Sequence, residues 1–186
     1  MKIGDSIPDL EFDVFQDEEI KKLKFSDFKG KWLVLAFYPA DFTFVCPTEL
    51  AELAGLHGEF KKQGAEIISM STDSAYVHMS WHDTSPLVKK VKYPMGADPT
   101  HKVSTAFGTL IEGEGMSTRA TFIISPEGIV KAIEMHDNSI GRSAPEILRK
   151  LQAASFVSKN KGLVCPASWS PGKEAIKPSA KLVGKL

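Results

Sequence analysis

The sequence predicts an α/β fold in which a central, mostly parallel sheet carries helices on both faces and a C-terminal extension follows. Three observations predict it. Two nearly continuous apolar runs, at 32–38 and 65–71, suit central strands covered on both sides. A stretch with apolar residues at helical spacing follows each run, at 50–60 and 74–82. A third run, at 118–124, turns back through Ser125-Pro126-Glu127-Gly128, and a further helical pattern begins at Ser143.

In chain order, residues 1–30 read as short extended pieces and turns. Leu10, Phe12 and Val14 alternate weakly, as in an edge strand, and Ser26 to Gly30 is turn-like. The first helical stretch places Leu50, Leu53, Leu56 and Phe60 near one face and stops at Gln63-Gly64. The second opens with Asp73 or Ser74 as its cap and is limited by Pro86. Tyr93 to Pro99 is rich in helix and strand breakers and reads as a loop, and His101 to Phe107 as a short helix. Thr118–Ile124 and Ile129–Met135 form a hairpin. Ser143 and Glu146 have capping-box spacing, and the helix they open turns Ile147, Leu148, Leu151 and Ala154 inward and ends by Gly162. This order of strands and helices is that of a thioredoxin-like fold. Residues 1–162 form one domain, and residues 163–186 an irregular arm, partly ordered at best.

Composition narrows the function. The 186 residues are enough for a full core, and 42% are hydrophobic. The 23 basic and 23 acidic side chains balance, which gives no general drive toward nucleic acid or an acidic membrane. No apolar run approaches the roughly twenty residues of a membrane span, and the N-terminus lacks a signal-peptide core, so the expectation is a cytoplasmic protein. The only cysteines, Cys46 and Cys165, are too few for a disulfide scaffold or a four-cysteine zinc site, and their separation excludes C-x-x-C. No metal and no cofactor is expected. His78 and His82 share a helix face and read as surface or interface residues.

Cys46 sits where the loop after the first buried strand becomes a helix, with Pro47 suited to the first turn. The positive end of a helix and its unpaired amides favour thiolate over thiol, so a nucleophile outweighs a small buried hydrophobe here. Thr43, three residues earlier, can turn its hydroxyl toward the sulfur or a bound oxygen or cap the helix, and the two roles can coexist. Pro39 either shields the sulfur or ends the strand. Arg119, at the start of a strand, is either a charge partner for Cys46 or a surface ion pair. Glu49 and Arg142 read, on the residues alone, as a helix-surface pair, and Cys165 as a tail cysteine.

Pro39, Thr43 and Cys46 together form Pro-x-x-x-Thr-x-x-Cys within the string FYPADFTFVCPTEL. With Thr118-Arg119-Ala120-Thr121-Phe122 and Val-Cys-Pro-Ala-x-Trp around Cys165, the chain resembles the typical 2-Cys peroxiredoxins, in their bacterial alkyl hydroperoxide reductase group. The resemblance runs from Gly4 to Leu186. It implies a thiol peroxidase in which Cys46 reduces hydrogen peroxide or an organic hydroperoxide and becomes a sulfenic acid. Thr43, Pro39 and Arg119 would serve that step, and Glu49 and Arg142 would orient Arg119. Cys165 would resolve the sulfenic acid as a disulfide, between subunits in this group; the sequence also allows a bond within one chain. A homodimer closing into a decamer is implied, with a thioredoxin-like or flavoprotein disulfide reductase as partner. The Gly-Gly-Leu-Gly and Tyr-Phe features of overoxidation-sensitive members are missing, so Cys46 is expected to resist sulfinic oxidation. Two other readings are a general thiol–disulfide oxidoreductase, which would want C-x-x-C, and a ring-forming holdase chaperone.

Overall fold

The computed structural model describes residues 1–185; Leu186, the last residue of the expected arm, lies outside the described residues. Two strands open the chain, β1 (Glu11–Gln16) and β2 (Glu19–Lys24), joined by Asp17 and Glu18, both at positive φ. Two left-handed residues in a two-residue loop match the twist of the paired strands. A short 3-10 turn at Phe25–Phe28 leads to β3 (Trp32–Phe37), then to α1 (Cys46–Gly55) and α2 (His57–Lys62). There follow β4 (Ala65–Ser71), α3 (Ala75–Thr84), β5 (Met95–Ala97) and α4 (Lys102–Phe107). A two-stranded ribbon, β6 (Leu110–Ile111) with β7 (Met116–Ser117), precedes the hairpin β8 (Arg119–Ile124) and β9 (Val130–His136). The helix α5 (Ala144–Lys159) closes the core.

The main sheet has seven strands in the order β2-β1-β5-β4-β3-β8-β9. The α/β class and the thioredoxin-like order hold, but the sheet is mixed rather than mostly parallel. Only β3–β4 and β4–β5 pair in parallel, through the helices that cross between them, while β8 returns antiparallel beside β3. The N-terminal strand is not an edge: β1 pairs with β5, and β2 takes the edge outside it. The breaker-rich segment at 93–99 contains β5, a strand rather than only a loop. Gly96 is needed there because a Cβ would lie 2.6 Å from Met70 Cε and 3.1 Å from the Ser69 carbonyl oxygen.

Period-two alternation in β3 divides the core. Trp32, Val34 and Ala36 face one side, with Leu50 and Leu53 of α1, Trp81 of α3 and Ile147 and Leu151 of α5. Leu33, Leu35 and Phe37 face the other, with Val103 and Phe107 of α4 and Phe122 of β8. Each of the larger of these side chains stabilises the fold by roughly 1.5–3 kcal/mol through burial, which is why both apolar runs become central strands. The helical stretch at 50–60 is two helices, because the chain breaks at Leu56.

At α5 the expected capping box is absent. Ser143 occupies the N-cap position without a side-chain bond, and the Ala144 amide donates instead to Glu52 Oε2 at 2.7 Å. A carboxylate from α1 thus does the work of the cap and ties the two helices together. The arm is more ordered than its composition suggests. Val164 and Ile176 exchange backbone hydrogen bonds of 2.9 and 3.0 Å, and the Arg149 guanidinium donates to the Trp169 carbonyl. Trp169 is buried against Phe156, with ring centroids 4.7 Å apart. His78 and His82 are both buried rather than at the surface, because each ring finds a carbonyl oxygen to bond: Gly96 for His78 and Val91 for His82.

Candidate active site

The parallel pair β3–β4 ends beside the loop at 38–45, and α1 begins there with Cys46 as its first residue and Pro47 next. No side chain caps this end of α1. Cys46 is fully buried. Arg119, the first residue of β8, reaches it across the sheet: β8 lies beside β3, and Nη1 stands 3.4 Å from Cys46 Sγ.

The guanidinium is held from three directions. Nε and Nη2 donate to the Asn138 carbonyl at 3.2 and 2.9 Å, and Nη1 also donates to Glu49 Oε2 at 2.6 Å. The Asn138 side chain in turn accepts the Arg119 amide at 3.1 Å. Glu49 stands three residues after Cys46 on α1 and bridges two arginines. Its Oε1 accepts the Arg142 amide and Nε at 2.6 and 2.9 Å, and its Oε2 accepts Arg142 Nη2 at 2.9 Å. Arg142 Nη1 donates to the Ala120 carbonyl and to Thr121 Oγ1.

Burial alone would push the Glu49 carboxyl up. The Arg142 hydrogen bonds and charge, with Arg119 added, outweigh it and hold Glu49 below the ordinary carboxylate value. Burial acts against the Arg119 charge as well, but its bond to Cys46 and the charge of Glu49 hold it above the ordinary value. One carboxylate between two guanidiniums leaves a buried cluster with a single surplus positive charge, and Cys46 Sγ is the atom beside it. Such a cluster attracts an anionic sulfur.

The structure thus brings together Cys46, Arg119, Glu49 and Arg142. Glu49 and Arg142 are buried, not a helix-surface pair, because each oxygen of Glu49 meets two donors. Pro39 is buried at the start of the loop. Thr43 is not the helix cap. Its hydroxyl donates to the Ala40 carbonyl at 2.8 Å, and Val45, not Thr43, holds the N-cap position. Cys165 is a free thiol apart from this cluster, beside α5, with Sγ 3.9 Å from the Ala153 carbonyl. Burial pushes its thiol up.

Sequence reasoning missed Asn138, which lies in the short turn after β9, and missed a buried chain of polar groups under the loop. Tyr38 Oη donates to Asp41 Oδ1 at 2.7 Å, and His78 Nδ1 lies 2.7 Å from Asp41 Oδ2. Burial, then the Asp41 charge, pushes the Tyr38 hydroxyl well above the usual phenol range. The signal available was a histidine on the inward face of the helix at 74–82.

The AhpC/TSA family model matches residues 3–133, and the model of the C-terminal domain of 1-Cys peroxiredoxin matches residues 155–186. The chain is 43% identical over 184 residues to alkyl hydroperoxide reductase C of Pseudomonas aeruginosa, covering 99% of this chain and 98% of that protein. It is 42% identical over 184 residues to the protein of the same name from Escherichia coli K12, with the same coverage. Among solved structures it is similar to Enterococcus faecalis AhpC, at 44% identity and TM-score 0.86, over 88% of this chain and 98% of that one. It is also similar to reduced Plasmodium vivax 2-Cys peroxiredoxin, at 34% identity and TM-score 0.90, over 96% and 94%. Matches of this extent, on a chain that buries a cysteine against an arginine, mean that the protein belongs to the AhpC/TSA family and is a peroxiredoxin.

Proposed function

We propose that Cys46 is the peroxide-reducing nucleophile and that Cys165 resolves its oxidised form. The observation that carries the reading is the 3.4 Å approach of Arg119 Nη1 to Cys46 Sγ in a buried cluster of surplus positive charge. The Cys46 thiolate attacks the terminal oxygen of RO–OH. The S–O bond forms, the O–O bond breaks, and the leaving RO⁻ takes a proton to become ROH. Arg119 has five N–H bonds, of which one on Nη2 has no partner among the described residues; it is placed to stabilise charge on the departing oxygen. The Thr43 hydroxyl spends its hydrogen on Ala40 and keeps its lone pairs to accept from the peroxide. Pro39 closes the loop against water, and Glu49 and Arg142 hold Arg119 in register.

In the second stage the Cys165 thiolate attacks the Cys46 sulfenic sulfur, expels hydroxide and forms a disulfide, with water as product. Residues 163–186 act as an arm that carries Cys165 on the domain at 1–162. A separate disulfide reductase, thioredoxin-like or a flavoprotein, returns both thiols. An intersubunit bond is favoured by the open edge of β9, where Met135 and nearby Ile140 are exposed. Ring closure is favoured at Phe42, Phe44 and Tyr76, which are 56%, 93% and 70% exposed. Trp81 belongs to the core instead. A cytoplasmic location is supported by the similarity to bacterial alkyl hydroperoxide reductase C; no helix among the described residues is long and apolar enough to cross a membrane.

The test is peroxide consumption with a dithiol reductant, followed by non-reducing electrophoresis after one equivalent of peroxide. Wild type should consume peroxide and give a disulfide-linked dimer. Cys46→Ser should abolish both, and Cys165→Ser should abolish the dimer band. Undiminished turnover by Cys46→Ser would overturn the assignment.

A further inference from the structure

Beneath the loop that leads to Cys46 lies an ion-pair geometry that the chemistry above does not use. The His78 and Asp41 side chains are both fully buried. His78 Nε2 lies 2.9 Å from the Gly96 carbonyl oxygen, and His78 Nδ1 lies 2.7 Å from Asp41 Oδ2. A carbonyl only accepts, so Nε2 carries a hydrogen. Two heavy atoms 2.7 Å apart need a hydrogen between them as well. Asp41 Oδ1 is already occupied by the Tyr38 hydroxyl. One proton is therefore shared between His78 and Asp41, whichever of the two carries it. Without that proton, a lone pair on the ring faces either the carboxylate or the Gly96 carbonyl, in a place water does not reach.

The pair has mechanical consequences. Asp41 is held by Tyr38 at the end of β3, by His78 of α3 and, through its own amide, by Asp73 Oδ2 at 2.9 Å. Asp73 also accepts from Ser71 Oγ. These are the charged and titratable groups that meet the pair; β5 supplies only the Gly96 carbonyl. The next residue, Phe42, has φ of 55°, a left-handed conformation that an aromatic residue adopts only under restraint. Its ring lies 6.0 Å from Trp81, one turn along the helix that carries His78.

We propose that the buried His78–Asp41 pair is a hydrogen-bonded anchor for the loop that presents Cys46, which makes His78 a positioning residue for peroxide attack. This rests on the peroxidase reading of Cys46. The anchor holds the upstream end of the loop while Arg119 holds the sulfur, and strain at Phe42 sits between them.

Amide hydrogen exchange of the reduced protein tests the anchor without reference to activity. His78→Gln keeps a donor for Gly96 and loses the one for Asp41. Protection at residues 40–46 should fall about tenfold to a hundredfold, with α5 unchanged, and the rate of peroxide attack should fall with it. Asp41→Asn places a fixed N–H where the shared proton lay. It should keep protection at residues 40–46 close to that of wild type. The proposal is overturned if protection at 40–46 is unchanged in His78→Gln. It is overturned equally if Asp41→Asn, which keeps a hydrogen bond to the ring, loses as much protection as His78→Gln; should His78→Gln not fold, unchanged protection at 40–46 in Asp41→Ala overturns it. A wild type that consumed no peroxide would sink the peroxidase reading, while the exchange data would still judge the anchor.

Discussion

Replacing Glu49 with glutamine removes the buried anion that holds two guanidiniums together, and the cost is set by the geometry. Glu49 accepts four hydrogen bonds, from Arg119 Nη1, from Arg142 Nη2 and Nε, and from the Arg142 amide. In Glu49→Gln one oxygen becomes an NH2 group, so two of these donors meet another donor. The cluster also goes from one surplus positive charge to two, inside the protein. Breaking a buried pair in this way costs about 3–5 kcal/mol. For a chain of this size each kcal/mol lowers Tm by about 2–4 °C, so a fall of roughly 6–20 °C is expected. Urea denaturation followed by circular dichroism, with Tm by calorimetry, measures it. The pH response gives a second handle. Glu49 is held below the ordinary carboxylate value, so its contribution is complete above that value and is lost as pH falls through the folded one. Glu49→Gln should lack that part of the acid-side loss. A destabilisation under about 1 kcal/mol, with the acid limb unchanged, would refute the claim that Glu49 organises the cluster.

Arg119→Gln should slow peroxide consumption by about a hundredfold to a thousandfold with the fold retained, as expected for loss of one fixed donor at a charged transition state; stopped-flow kinetics on the reduced protein reads this directly. Because burial pushes the Cys165 thiol up, the step that joins it to oxidised Cys46 should speed up from neutral to alkaline pH, by about tenfold per pH unit. A flat profile for disulfide formation would count against Cys165 as the attacking group. Gly96→Ala places a methyl group against Met70 and the Ser69 carbonyl oxygen, and should cost about 1–3 kcal/mol in denaturant midpoint measurements.

The parts of the fold that could be read from the chain are those whose residues answer to a single demand. Trp32–Phe37 and Ala65–Ser71 are buried on both faces, so their apolar runs are unbroken and unambiguous. β2 was obscured because three lysines share it with Ile20 and Leu23, the pattern of a half-exposed edge. β5 was obscured because it is only three residues long and centred on Gly96, whose missing side chain makes room for Met70. Its neighbours Pro94 and Pro99 argue locally for a loop, and pairing on both sides overrides them. At the site, Cys46 and Arg119, which meet at 3.4 Å, were legible through motifs. Asn138 was not, because it holds the guanidinium through its backbone carbonyl, which any residue possesses, while its side chain meets only the Arg119 amide. Asp41 carried no signal of its own, since its partner His78 is 37 positions away and nothing local joins them.

The double grip on Glu49 has a consequence for motion. Cys46 and Glu49 share the first turn of α1, but in the proposed second stage it is only the Cys46 sulfur that has to be reached. With Glu49 bolted to two arginines, and Leu50 sunk in the core behind it, unravelling from the front of the helix meets a stop after Thr48. Three residues of freed chain, at about 3.3–3.6 Å each, give a tether of roughly 10 Å. A short leash of that kind confines the reactive sulfur to a small volume around its resting place, so whatever meets it must come to it.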